Sequence, residues 1–246
     1  MDQQLNLFAE VLETKKINKT IRLIELFSGI GAQAKALEIL GVKFEHYKTC
    51  EWAFNSIIGY NAIHIKDNTN YAENKTKEEL IAYLNGNISV DYNQPADLTK
   101  KPIEWLQKCY NSCIANHNLM NIMRVKGEDL QIVDKNTYEY IMTYSFPCQD
   151  LSLAGKRQGM SVSQADGGTR SGLLWEVERI LNECKQLNSL PQILVMENVP
   201  QVIQNGAIKD FQKWRKALED MGYSNYCEVI NAKDYGIPQN RNRCFM

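Results

Sequence analysis

A short apolar run at 21–27 opens the ordered-looking part of the chain. A glycine-bearing stretch follows, then a segment, 32–40, whose apolar residues recur at helical spacing until Gly41. A β-prone segment at 44–50 then leads into Glu51. Runs this short, bounded by turn residues, predict strands, and the periodic segment between them predicts a helix. Four further strands are predicted at 140–145, 193–196, 226–231 and 243–246. Leu173, Leu174, Val177, Ile180 and Leu181 repeat at helical spacing, as do Phe211, Trp214, Leu218 and Met221, marking the buried faces of two helices. Strands alternating with helices predict an α/β fold built on an open, doubly wound, mostly parallel sheet.

Two segments depart from that alternation. Residues 1–20 mix Asp, Gln, Glu and Lys and form an N-terminal extension. Residues 60–125 hold eleven Asn and only isolated apolar positions such as Leu80, Ile81, Leu84, Trp105 and Leu106, so an insertion with two or three short helices is expected, without a legible role. The remainder, 21–246, reads as one principal domain, because 246 residues bury one substantial α/β core and hardly two.

Composition narrows the class. With 44% hydrophobic and 23% charged residues the chain is ordinary for a globular protein. No apolar stretch approaches the roughly 20 residues needed to span a bilayer. The N-terminus lacks a signal-peptide core, so a cytoplasmic location is expected. Seven cysteines, an odd number without CxxC spacing, suit reduced thiols better than a disulfide frame. Cys109, Cys113 and His117 lie on successive turns of a helix and invite a zinc reading, but no fourth ligand is evident and helical periodicity explains the cluster, so no metal is assigned. A net charge of -1 does not announce a nucleic-acid binder, although seven basic residues stand against five acids between Ala207 and Met246.

Four islands carry the chemistry. In Phe27-Ser28-Gly29-Ile30-Gly31 the glycines allow a tight turn and close approach of a ligand, and the helix that follows aims its N-terminal amides at that turn. A Gly-x-Gly alone is weak evidence. Glu51, however, lies 24 residues after Phe27, where an acid can accept from both ribose hydroxyls, and Trp52 offers a flat face to an adenine. A solvated Glu and a core Trp are the plain alternatives. In Phe146-Pro147-Cys148-Gln149 a strand ends by presenting a thiol at the sheet edge, where a nucleophile is useful and a core packer is wasted. Glu197-Asn198-Val199 ends another strand at the same edge, and Gln239-Asn240-Arg241-Asn242-Arg243 follows near the end of the chain. Taken singly, a Glu-Asn loop start and a solvated Arg-x-Arg pair are common.

In this order the four islands resemble the DNA cytosine-C5 methyltransferase family, over 21–246 apart from the insertion. The resemblance implies a Rossmann-like, S-adenosyl-L-methionine-dependent methyltransferase fold. It places the cofactor on Phe27, Ser28, Gly29, Ile30 and Gly31, with Glu51 at the ribose, Trp52 at the adenine, and Pro147 and Leu173 lining the site. A third contact, an Asp in a Gly-Asp-Ile-like element, matches Gly127-Glu128-Asp129-Leu130 with one residue inserted. That assigns Asp129, with Glu128 as competitor.

Cys148 is then the nucleophile that adds to carbon 6 of cytosine, Glu197 the acid at ring nitrogen 3, and Arg243 the donor to the 2-oxo oxygen, with Arg241 bracing the loop or a phosphate. The segment between Cys148 and Gly172, rich in Ser, Gly, Lys and Arg, closes over double-stranded DNA once the base has been swung out. Ser152 and Arg170 are its phosphate contacts. The family continues into a target-recognition domain, so the chain is expected to be truncated before it, and a second chain carrying that domain is one expected partner. A non-catalytic relic that merely holds the cofactor is the alternative. An amino-methyltransferase would want an Asp/Asn-Pro-Pro-aromatic loop, which is absent.

Overall fold

A computed structural model describes residues 17–147, 170–204 and 207–246. Six strands form one sheet: β1 (Thr20–Leu26), β2 (Phe44–Cys50), β3 (Tyr138–Tyr144), β4 (Ile193–Asn198), β5 (Glu228–Asn231) and β6 (Asn242–Phe245). Their order across the sheet is β2-β1-β3-β4-β6-β5. The first four run parallel, and β6 lies antiparallel to both β4 and β5. This is the doubly wound, mostly parallel sheet that the sequence predicts. β3 begins two residues earlier than expected, because Tyr138 and Glu139 pair with Thr20 and Ile21. β5 starts only at Glu228, where pairing with Phe245 begins.

Helices α1 (Ala32–Ile39), α2 (Phe54–Tyr60), α3 (Lys77–Leu84), α4 (Ile103–Ala115), α5 (Leu174–Gln186) and α6 (Ile208–Asp220) complete the chain. The periodic residues of α5 and α6 are buried against the sheet, apart from half-buried Met221, and Trp214 donates its Nε1–H to the Tyr144 hydroxyl at 3.2 Å. No described helix is long and apolar enough to cross a membrane.

The 60–125 segment builds a second apolar cluster of Ile57, Leu80, Leu84, Leu106, Cys109 and Cys113, with Phe54 stacked on Trp105 at 3.9 Å between ring centroids. A reciprocal capping box between Thr76 and Glu79 starts α3. Because β1 to β4 run the same way, Leu26, Cys50, Tyr144 and Asn198 end on a single edge, and loops carrying all four sequence islands gather there or beside it.

Candidate active site

The turn after β1 is wound tightly. Phe27, Gly29 and Gly31 all have positive φ, of 57°, 54° and 84°. For Phe27 this region costs about 1–2 kcal/mol, strain of the kind concentrated at functional sites. Glu51 secures the turn, accepting from Gly29 N at 3.0 Å and from Ala53 N at 2.7 Å on separate carboxylate oxygens. Burial pushes this carboxyl above its usual range while the backbone N–H bonds pull it back.

The two glycines do different work. A Cβ on Gly29 would meet nothing within 4 Å, whereas one on Gly31 would collide with the His64 imidazole and come within 2.8 Å of the Tyr60 ring. Both glycines are expected to clear space for a ligand; open space is found beside Gly29, while Gly31 is packed against protein. Gly31 makes room for the protein's own His64.

Phe27, Glu51, Trp52, Pro147 and Leu173, all expected at the cofactor, line one cavity of about 220 Å³. Tyr92, Ser145 and the run Met120, Asn121, Ile122 and Met123 complete its wall. Asp129 does not reach this cavity. Its Oδ2 accepts from Lys126 N at 2.8 Å, capping its own short turn, Gly127–Leu130, while Glu128 pairs outward with Lys126. Asn121 lines the cavity instead; its side chain caps the turn at Ile122–Arg124 and donates to Gly86 O at 2.8 Å. The sequence match failed because a Gly-Glu-Asp-Leu string satisfies itself locally. Ser28 contributes a buried hydroxyl with no hydrogen-bond partner among the described residues, and Ile30 is exposed.

The 60–125 segment braces this wall. Asn118 accepts from Glu51 N at 3.0 Å and donates to Glu51 O at 2.9 Å, clamping the backbone of the acid from both sides. Ser89 does the same around Trp52, donating its N–H to Trp52 O at 2.7 Å and accepting from Phe54 N at 2.9 Å. Neither residue was assigned a role from sequence, because each acts through contacts remote along the chain. Within the same segment Cys109 and Cys113 are buried in the apolar cluster, while His117 is exposed and contacts the Tyr47 carbonyl at 3.3 Å. The six described cysteines are free thiols, and Cys50, Cys184 and Cys244 are buried in the core.

Beside the cavity, Phe146 is buried and its carbonyl accepts from Asn198 Nδ2 at 3.1 Å, tying the loop after β3 to the end of β4. Glu197, one residue earlier, receives Arg243 Nε from β6 at 2.8 Å, with both side chains about one-quarter exposed. The two groups expected at adjacent positions of a pyrimidine, ring nitrogen 3 and the 2-oxo oxygen, are thus held against each other here. Arg241 is exposed, and its backbone is fixed to Asn231 and Ala232. Cys148 and Ser152 lie outside the described residues. Arg170 opens the short turn Arg170–Leu173 that leads into α5.

Residues 98–246 match the family described as C-5 cytosine-specific DNA methylase, more than half of the chain. The chain belongs to that family. Among curated relatives it is 38% identical over 244 residues to the orphan methyltransferase M.SssI of Spiroplasma monobiae, covering 95% of this chain and 61% of that protein. It is 35% identical over 229 residues to the type II methyltransferase M2.ScrFI of Lactococcus lactis subsp. cremoris, covering 92% and 60%. The chain thus spans about three fifths of the length of these relatives. Among solved structures, the S. pombe Dnmt2 methyltransferase aligns with a TM-score of 0.54 at 18% identity, over 91% of this chain and 49% of that one. At that identity the likeness concerns the fold alone.

Proposed function

We propose that the chain is the catalytic part of a DNA (cytosine-5-)-methyltransferase that uses S-adenosyl-L-methionine as methyl donor. The observation that carries this is one cavity bounded by Phe27, Glu51 and Trp52 on one side and Pro147 on the other, next in sequence to Cys148. The donor suits the residues present. The Glu51 carboxylate has about four lone-pair sites, more than the backbone N–H groups it accepts from, the Ser28 hydroxyl lacks a partner among the described residues, and Gly29 faces open space. Trp52 and Leu173 supply apolar surface for a purine. When bound, S-adenosyl-L-methionine offers a methyl group on a sulfonium.

The protein's part is to make cytosine nucleophilic. The Cys148 thiolate forms a bond to carbon 6, which drives negative charge toward ring nitrogen 3 and the 2-oxo oxygen and leaves carbon 5 as an enamine carbon. Glu197 meets nitrogen 3 and Arg243 the 2-oxo oxygen once they part from one another, so the ion pair stores both groups in place until a base separates them. After carbon 5 has taken the methyl, loss of its proton expels the thiolate. Asn198, by holding Phe146, keeps the thiol loop and the carboxyl on a common rim. Double-stranded DNA is the substrate, Ser152 and Arg170 bind its phosphates, and Arg241 steadies the loop or a further phosphate. Target reading belongs to a recognition domain, on a longer form of the chain or on a second chain. The intact Glu197–Arg243 pair argues against a non-catalytic relic.

Replacing Cys148→Ala tests the mechanism: transfer to DNA should vanish while cofactor affinity stays within about twofold, because the thiol contributes to covalent addition and not to binding. Transfer surviving in that variant defeats the assignment. DNA carrying 5-fluorocytosine should trap a covalent adduct in any preparation that methylates normal DNA.

A further inference from the structure

We propose that Glu38, His46 and His64 form a binding site for one borderline divalent cation of the Zn²⁺, Co²⁺ or Ni²⁺ type, behind the glycine turn. One donor atom from each of the three lies within 4.8 Å of the donors of the other two. A tetrahedral ion bonded at about 2.1 Å keeps its donors about 3.4 Å from one another, so a closure of up to about 1.4 Å completes the set.

Hydrogen bonding already selects the tautomers such a site needs. The Tyr60 hydroxyl donates to buried Glu25 Oε2 at 2.5 Å, so at 2.8 Å from His46 Nδ1 it accepts, which puts the hydrogen on Nδ1 and leaves Nε2 as a bare lone pair. His64 Nε2 lies 3.0 Å from the Ile30 carbonyl, which can only accept, so Nε2 carries hydrogen and Nδ1 is the atom turned to Glu38 Oε1 at 2.9 Å. Each imidazole thus has a backbone or hydroxyl acceptor behind it and a nitrogen left for an ion, the arrangement that orients metal-ligating histidines. Glu38 divides its oxygens likewise: Oε2 is taken by Lys35 Nζ at 2.7 Å, and Oε1 faces the histidine.

The charges agree with the geometry. Lys35 and His64 together hold the Glu38 carboxyl down to about 2, so it is an anion at any ordinary pH. Burial pushes His46 below its usual value, which keeps it neutral and able to ligate. On binding, the ion takes the place of the hydrogen shared by His64 Nδ1 and Glu38 Oε1, that proton leaves to solvent, and water fills the fourth position. The ion would clip α1, β2 and the turn Asn61–Ile65 around Gly31, because the His64 side chain, 1% exposed, is the group against which Gly31 is packed.

The test uses the full chain, freed of metal by a chelator and titrated with Co²⁺. One equivalent should bind with a visible d–d spectrum lacking thiolate charge-transfer bands, and Zn²⁺ should displace it. Glu38→Gln and His46→Gln should each weaken binding by about tenfold or more. Glu38 is on the surface, so E38Q should keep the wild-type melting curve without metal and report on ligation alone. No binding to the wild type overturns the site. So does equal binding to E38Q and H46Q, or a spectrum showing cysteine ligands.

Discussion

Asn118 clamps the backbone of Glu51, the proposed ribose acid. It is 6% exposed, and its amide serves Glu51 N, Glu51 O and Met120 N together. Asn118→Ala strands those backbone groups and should cost about 1–3 kcal/mol in urea unfolding, with a weaker cofactor affinity by calorimetry. Unchanged affinity would show that Glu51 needs no such clamp. Glu25 is expected to shape the pH dependence of stability. Its carboxyl is buried and raised, so the folded chain holds that proton more firmly than the unfolded chain does. Its stabilising contribution is complete below the ordinary carboxylate range and is lost as pH rises through the raised value. Unfolding free energies measured across pH should show this fall, and Glu25→Gln should remove it. At this scale the gathering of Glu51, Trp52, Pro147 and Leu173 at one cavity was legible from the family resemblance. Asp129 misled because its motif folds onto itself. Asn118 could not be read at all, since its partner lies 67 residues away.

The turn between β1 and α1 separates two kinds of glycine. Gly31→Ala combines a positive φ, about 1–2 kcal/mol, with overpacking against His64 and Tyr60, about another 1–3 kcal/mol. Gly29→Ala carries only the first cost, into open space. Thermal melts should therefore rank G31A well below G29A, and the reverse order would mean that His64 yields freely. Sequence periodicity located every strand to within two residues and marked the buried faces of both long core helices, because a buried run or stripe is a local signal. It could not tell which glycine faced solvent and which faced a side chain, since His64 reaches Gly31 from beyond α2.

Over the whole molecule, two of the three apolar clusters among the described residues flank the cavity wall. The larger lies between the sheet and α5 and α6, and the smaller is gathered by α3 and α4. Leu106→Ala in the smaller cluster should cost about 2–5 kcal/mol. The amides of Glu51 and Phe54, held by Asn118 and Ser89, should then exchange hydrogen sooner than those of β3. Equal slowing or quickening everywhere would mean that the clusters melt as one. The α/β architecture was readable from the order of strands and helices. The support that the 60–125 segment gives to Trp52 was not, because it rests on backbone pairing and not on any motif.

The position of β6 bears on how the protein is made. β6 lies between β4 and β5 although it follows both along the chain, so β5 cannot reach its final neighbour and β4 keeps an unpaired edge until residues 242–245 emerge from the ribosome. Arg243 arrives with that strand, and only then is Glu197 engaged. A nascent chain can shape the cavity early, yet the Glu197 carboxylate and its guanidinium partner meet only after residue 243 has been made.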